Sequence, residues 1–163
     1  MSDKKNDDRK NIVVVGGGSG ALAARDISAK LDASKYNLIL INPRPYRILL
    51  PATARLTTSD TDHLEDTAFV PFDKTFHNGK GTFLLGKVVA IEAQKKGGSV
   101  VLESGEKVPY EVLVLAPGAV WGGPLAFADD SEKVTSFLHE GRSRLKNAND
   151  IVLVGGGAVG IGR

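Results

Sequence analysis

Residues Asn11 to Ala21 restrict the fold more than any other feature, because a β-branched run leads directly into a glycine-rich turn. The run Asn11 to Val15 is typical of a strand that is covered on both faces. Gly16, Gly18 and Ala21 then match the G-x-G-x-x-G/A pattern, in which the first N–H groups of a helix bind the diphosphate of a dinucleotide. The pattern therefore predicts a nucleotide-binding unit.

Each small residue in this turn has a mechanical role. Gly16 permits the tight turn, Gly18 allows a diphosphate to approach the backbone without a Cβ in the way, and Ala21 allows close packing of helix on strand. A helix over Ala21 to Leu31 and a second buried strand over Leu38 to Ile41 complete a β-turn-α-β unit with parallel strands. The alternative is a glycine-rich turn without a ligand.

The end of the second strand departs from the usual pattern. Asn42 stands where an Asp or Glu would hold the ribose hydroxyls of a dinucleotide. A neutral amide can still bond a hydroxyl, and Arg44 could approach the diphosphate or a ribose 2′-phosphate, in which case the site would take NADP. Alternatively, Asn42 and Arg44 only shape a proline-flanked turn.

The pattern changes after this unit. An apolar segment at Ile48 to Leu50 is expected to turn into a helix that reaches Arg55, and a loop or weak helix follows. Three segments with hairpin turns between them then predict a three-stranded antiparallel meander, and a continuous apolar strand follows it. These four segments are Thr82 to Ala93, Ser99 to Glu103, Lys107 to Pro109 and Val112 to Ala116.

The C-terminal part repeats the first motif. Helical spacing over Ser131 to Ala148 predicts an amphipathic helix, or a helix with a break near Gly141. Ile151 to Val154 is predicted as another strand, and a second glycine pattern follows it at Gly155, Gly157 and Gly160. Only three residues remain for the helix that should receive the phosphate, so we expect a truncated second unit whose site does not function.

Composition excludes several classes of function. The 163 residues contain no cysteine, and a net charge of +2 without a dense basic block does not favour nucleic acid as a partner. No apolar stretch has the length of a membrane span, and the N-terminus lacks a secretory signal, so a cytoplasmic protein is expected. The three histidines lack the spacing of metal ligands, and no catalytic residue or metal site is predicted. They are His63, His77 and His139.

The order of these motifs resembles that of flavoproteins with two dinucleotide-binding domains. Two glycine fingerprints, the meander between them and the strand in VPYEVLVLAPGAVWGGP are most similar to the apoptosis-inducing-factor-like oxidoreductases, which include ferroptosis suppressor proteins and type II NADH dehydrogenases. The resemblance implies FAD in the first site, NAD(P)H in the second and a quinone-like electron acceptor. The cysteine pair of the disulfide-reductase branch is absent.

The resemblance also implies which positions bind FAD. Arg55 matches an arginine near the flavin, Val88 matches the residue whose backbone meets adenine, and Pro117 replaces the threonine of an Ala-Thr-Gly motif at a domain crossing. The complete set of expected FAD-binding residues is Gly16, Gly17, Gly18, Ser19, Gly20, Ala21, Asn42, Arg44, Arg55, Val88, Ala116, Pro117 and Gly118.

These observations predict an α/β fold with a Rossmann-like, doubly wound parallel sheet. Residues 1–10 are expected to form a disordered tail, 11–125 an FAD-binding domain, and 126–163 a linker helix and the start of an NAD(P)-binding domain. The expected function is the FAD-binding part of an NAD(P)H oxidoreductase, unable to turn over alone. The alternatives are an NADP-binding domain and a non-catalytic interaction module that recruits a partner or self-associates through the strand Ile151 to Val154 and uncovered sheet faces.

Overall fold

The computed structural model describes residues 8–119, 122 and 126–157. It divides into two compact units: the first contains the chain up to Pro45 and Phe72–Gly118, and the second contains Tyr46–Pro71 and the chain from Ala119 onward. Within the second unit, residues 46–71 pack with the helix Ser131–Lys146.

Strands and helices follow one another along the described residues in this order: β1 (Lys10–Val15), α1 (Ser19–Lys30), β2 (Tyr36–Asn42), β3 (Tyr46–Ile48), α2 (Leu50–Leu56), α3 (Glu65–Ala68), β4 (Phe69–Pro71), β5 (Thr82–Leu85), β6 (Val88–Ala93), β7 (Gly98–Leu102), β8 (Lys107–Tyr110), β9 (Val112–Leu115) and α4 (Ser131–Lys146). β1 begins at Lys10, so the ordered chain includes the last residue of the predicted tail.

A four-stranded parallel sheet forms the centre of the first unit, with the strand order β5-β2-β1-β9. In this order the chain first moves outward from β1 and then returns to its other side, as in a doubly wound nucleotide-binding fold. All four strands point the same way, so their carboxyl ends lie at one edge of the sheet. The predicted fold class is confirmed.

The two faces of the sheet are covered by different structures, because neighbouring strand residues point in opposite directions. Val14 and Leu40 face α1 and pack against Ala21 and Ala24. Val13 and Ile41 face the antiparallel meander β6-β7-β8, and they pack against three buried side chains of that meander. These three are Val100, Leu102 and Val108. The buried β-branched run in β1 thus has apolar partners on both sides.

The predicted strand Thr82 to Ala93 is two strands. β5 pairs in parallel with β2, and only β6 belongs to the meander. The division falls at Gly86, whose N–H donates to the carbonyl of Asn42 at 3.0 Å as the chain leaves the sheet edge. Periodicity could not locate this division, since both strands are apolar and neither contains a proline.

The second unit packs α4 against α2, α3 and the short β3-β4 pair. Leu56, Ala68, Val134 and Leu138 form its buried core. α4 begins at an N-cap in which the side chain of Asp130 accepts a hydrogen bond from the N–H of Glu132 at 2.9 Å. The helix continues through residue 141, so the predicted alternative with a break there is wrong.

The strand predicted over Ile151 to Val154 does not form. These residues have no regular structure, and their exposed fractions are 56%, 84%, 56% and 94%. A parallel strand requires hydrogen bonds from a neighbouring strand, and none of the described strands pairs with this segment. Its apolar side chains are therefore left in contact with solvent.

Candidate functional site

The carboxyl edge of the parallel sheet carries the glycine-rich turn. At Gly16 the chain adopts φ +105°, and the Gly16 N–H donates to the carbonyl of Ile41 at 2.9 Å. A Cβ at this position would collide with the carbonyl oxygen of Ala116, just beyond β9. Gly16 therefore allows three neighbouring strand ends to meet closely.

Gly17 is held from inside the protein. Its N–H donates to Oδ1 of Asn42 at 2.8 Å, and Nδ2 of Asn42 donates to the carbonyl of Arg44 at 2.8 Å. A Cβ on Gly17 would collide with the ring of Phe72 and would lie 2.7 Å from Cγ of Asn42. The side chains of Asn42 and Phe72 are only 6% and 2% exposed. The turn thus rests on two buried side chains.

The outer part of the turn is open. A Cβ on Gly18 would meet no atom within 4 Å, whereas one on Gly20, two residues further on, would lie against Val14 and Ala116. α1 begins at Ser19 with neither a capping side chain nor an acidic residue in its first turn. Among the described residues, the N–H groups of Gly18, Ser19 and Gly20 have no acceptor, so this positive end of the helix dipole can receive an anion.

Other predicted FAD-binding residues of the first unit lie at the same edge. Ala116 to Gly118 follow β9 beside Gly16, and Val88 comes two residues after Gly86, which is bonded to Asn42. Arg44 follows β2 and is held through its carbonyl. Ala21 is buried against the sheet and contributes to packing.

Arg55 lies in α2 of the second unit and is exposed, and its place near the flavin stays a prediction from the family resemblance. Phe72 is not among the site residues that the sequence predicted. It packs against Gly17 and stacks on Phe83 with ring centroids 4.8 Å apart. Its segment has no periodic pattern, so no local signal indicated this contact.

The second glycine pattern keeps part of the turn geometry. Gly155 has φ +106°, close to the value at Gly16. A Cβ on Gly155, Gly156 or Gly157 would meet no atom within 4 Å, because the preceding segment forms no strand against which the turn could pack. Gly160 lies outside the described residues.

A cavity of about 720 Å³ lies at the opposite, amino-terminal edge of the sheet. Tyr36 and Thr82, the first residues of β2 and β5, line it together with Lys107. No residue of the glycine-rich turn contributes to it. In open parallel sheets ligands bind outside the carboxyl ends of the strands, so the turn and not this cavity is the candidate site.

The fold and the turn agree with comparisons to known proteins. The family model described as pyridine nucleotide-disulphide oxidoreductase matches residues 10–162. The chain belongs to this family. Because the 163 residues contain no cysteine, this part of the protein carries no redox-active disulfide of its own.

Individual relatives confirm the resemblance. The chain is 48% identical over 106 residues to the FAD-dependent oxidoreductase FVFD30 of Flammulina velutipes, covering 65% of this chain and 33% of that protein. It is 28% identical over 156 residues to apoptosis-inducing factor homolog B of Dictyostelium discoideum, covering 93% and 37%. The chain thus spans about a third of the length of these relatives.

Among solved structures, the sulfide:quinone oxidoreductase of Aquifex aeolicus has the same fold. It aligns with a TM-score of 0.59 and 23% identity, over 85% of this chain and 33% of that one. In the part of our chain that the structure describes, no helix combines the length and the apolar composition needed to cross a membrane.

Proposed function

We propose that this chain is the FAD-binding unit of an NAD(P)H-dependent oxidoreductase. The observation that carries the proposal is the open turn at Gly18, where the N–H groups of Gly18, Ser19 and Gly20 have no acceptor among the described residues at the start of α1. The similarity to a protein named as an FAD-dependent oxidoreductase supports the choice of FAD. The chemistry that FAD would supply at this site is hydride acceptance from NAD(P)H and electron transfer to a quinone-like acceptor.

The residues at the sheet edge fit the parts of FAD in different ways. The N–H groups of Gly18, Ser19 and Gly20 would bind the diphosphate, because the amides of Gly16 and Gly17 already have acceptors inside the protein. Following the family resemblance, the backbone at Val88 would meet adenine. Ala116 to Gly118 would border the site from β9, and Arg55 would act near the flavin.

The first experiment is an absorbance spectrum of the purified chain, followed by titration with FAD and ADP while the melting temperature is measured. We expect flavin absorbance, or a rise in melting temperature on titration. Gly18→Val should abolish binding, because the new side chain would stand in the diphosphate approach, where an added Cβ meets no protein atom within 4 Å. Gly157→Val is the matched control, since it also meets open space and lies outside the proposed site.

Equal loss of binding in the two variants would contradict this assignment of the site. A chain that carries no flavin, and whose melting temperature is unaffected by both FAD and ADP, would contradict the proposed function itself.

We also propose that this chain does not turn over by itself. The support is the exposed segment before Gly155, which leaves the second nucleotide turn without a strand behind it. The rate of NADH oxidation with a soluble quinone should therefore be no higher in the presence of the chain than with free FAD alone. Oxidation of NADH by a flavin-free preparation would refute this proposal.

Self-association is the second candidate function. Four consecutive apolar side chains, Ile151 to Val154, are at least half exposed, and such a segment is prone to pair with another chain. Sedimentation velocity should then show a concentration-dependent dimer. A strictly monomeric protein at all concentrations would exclude it.

A preference for NADP through Arg44 is tested by comparing the affinities of FAD, NAD and NADP.

A further inference from the structure

The geometry assigns Asn42 the task of holding the diphosphate turn in shape, in place of binding the ribose. This inference rests on the proposed binding of a nucleotide at the turn. Asn42 joins two separate main-chain groups: its Oδ1 accepts from the N–H of Gly17, and its Nδ2 donates to the carbonyl of Arg44, both at 2.8 Å. Asn42 is thus a positioning residue that acts through the backbone.

The chemistry of the two contacts suits an amide. An N–H needs an acceptor and a carbonyl needs a donor, and the amide of Asn42 offers both from one flat group, which an ionised carboxylate cannot do. A carboxylate could accept from Gly17, but its second oxygen would oppose the carbonyl of Arg44. The departure from the acidic residue usual in such folds therefore has a structural reason here.

Burial supports the same assignment. The side chain of Asn42 is 6% exposed and lies beneath the turn, in contact with the position where a Cβ of Gly17 would be. The ring of Phe72 lies against the same Cβ position of Gly17, and the carbonyl of Asn42 itself accepts from the N–H of Gly86. Hydrogen bonds to Gly17, Arg44 and Gly86 hold Asn42, so its amide is in place before any ligand binds.

This arrangement has a consequence for binding. With Gly17 fixed, the N–H groups of Gly18, Ser19 and Gly20 are pre-organised, so a diphosphate binds without first ordering the turn. We call the two bonds of the Asn42 side chain, to Gly17 and to Arg44, the clamp. Removal of the clamp should lower the affinity for every nucleotide by the same factor, whether or not its ribose carries hydroxyls. A ribose ligand would behave differently, since its removal matters only when those hydroxyls are present.

The test measures binding of ADP and of 2′,3′-dideoxy-ADP by calorimetry to the 163-residue chain and to three variants. We expect Asn42→Ala to weaken both nucleotides equally, by about five- to tenfold. Asn42→Asp should weaken ADP by about threefold or more, since it loses the bond to Arg44 and places a negative charge beneath the turn. The binding stoichiometry reports the folded fraction of each variant.

Asn37→Ala is the matched control. Asn37 lies in the same strand at the opposite end, where its Nδ2 donates to Oδ1 of Asn11 at 3.3 Å. It should leave both affinities within about twofold of wild type, because its contact is remote from the turn.

Two results would overturn the inference: a penalty in Asn42→Ala that is larger for ADP than for the dideoxy compound, or tighter binding of ADP by Asn42→Asp. Either would make residue 42 a ribose ligand. Hydrogen exchange of the Gly17 amide tests whether Asn42 holds this N–H, and it needs no ligand. The exchange should be faster in Asn42→Ala but not in Asn37→Ala. If wild type binds no ADP, the proposed function fails while this exchange measurement still tests the clamp.

Discussion

Arg142 offers the sharpest test of the energetics of the second unit. In α4, its Nε and Nη2 donate to the carbonyl of Leu56 at 2.9 and 2.7 Å, at the end of α2. Nη2 also forms an ion pair with Oε1 of Glu65. The side chains of Arg142 and Glu65 are 11% and 29% exposed, so solvent screens this pair much less than a surface pair.

We predict that Arg142→Met lowers the free energy of unfolding of this unit by about 2–4 kcal/mol, since methionine keeps an apolar stem but cannot donate. About 1–3 kcal/mol comes from leaving the Leu56 carbonyl without its charged donor, and about 1 kcal/mol from the loss of the partly buried ion pair. The two contributions share one guanidinium, so their sum is an upper value.

The same pair predicts a dependence on pH. Burial raises the pKa of the Glu65 carboxyl, but its own backbone N–H and the Arg142 guanidinium together lower that pKa below the usual value of 4.5. The unfolded chain therefore takes up this proton at a higher pH than the folded one. The stabilisation is present above about pH 4.5 and is lost as the pH falls through the lower folded pKa.

Urea denaturation followed by circular dichroism at pH 7 and pH 3, with hydrogen exchange of the α4 amides, measures this effect. Arg144→Met is the matched control, because Arg144 is 77% exposed and pairs with Glu140 at 3.3 Å in the same helix. We expect it to change the free energy of unfolding by less than about 0.5 kcal/mol. Similar values for Arg142→Met and Arg144→Met at pH 7 would refute the reasoning.

Three further predictions concern other parts of the chain. Gly16→Ala should destabilise the first unit by at least about 2 kcal/mol, because the backbone has φ +105° and the new Cβ collides with Ala116. Urea denaturation measures this loss, and an unchanged midpoint would contradict the prediction. Arg55→Ala should weaken FAD but not ADP in calorimetry, and an equal loss for both would show that the family position does not transfer. Val154→Lys should lower the association constant in sedimentation if the exposed segment pairs chains, and an unchanged constant would exclude that segment.

Local patterns predicted the first βα unit well. The run at Asn11 to Val15, the glycines and the following helix each carry a local pattern of residue types, so their sequence signal is strong. The structure moved the helix start from Ala21 to Ser19 and extended β2 at both ends, which are differences at element boundaries only.

The remainder depended on contacts between distant residues. The bond between Asn42 and Gly17 spans 25 positions, and no local pattern indicates that an amide in this place supports the turn. The segment Ile151 to Val154 has an apolar pattern equal to that of β1, yet one formed a strand and the other did not. The difference lies in available neighbours, since a strand is stable only when a partner strand and covering side chains exist.

The pairing of β1 with β9 has a consequence for how the protein is made. Val13 aligns with Leu113, about a hundred residues further along the chain, and closing such a long loop slows folding. During synthesis one edge of β1 therefore stays open until β9 has left the ribosome, while β2 can already pair with the other edge. The newborn chain thus passes through a stage in which an apolar strand edge requires protection from aggregation.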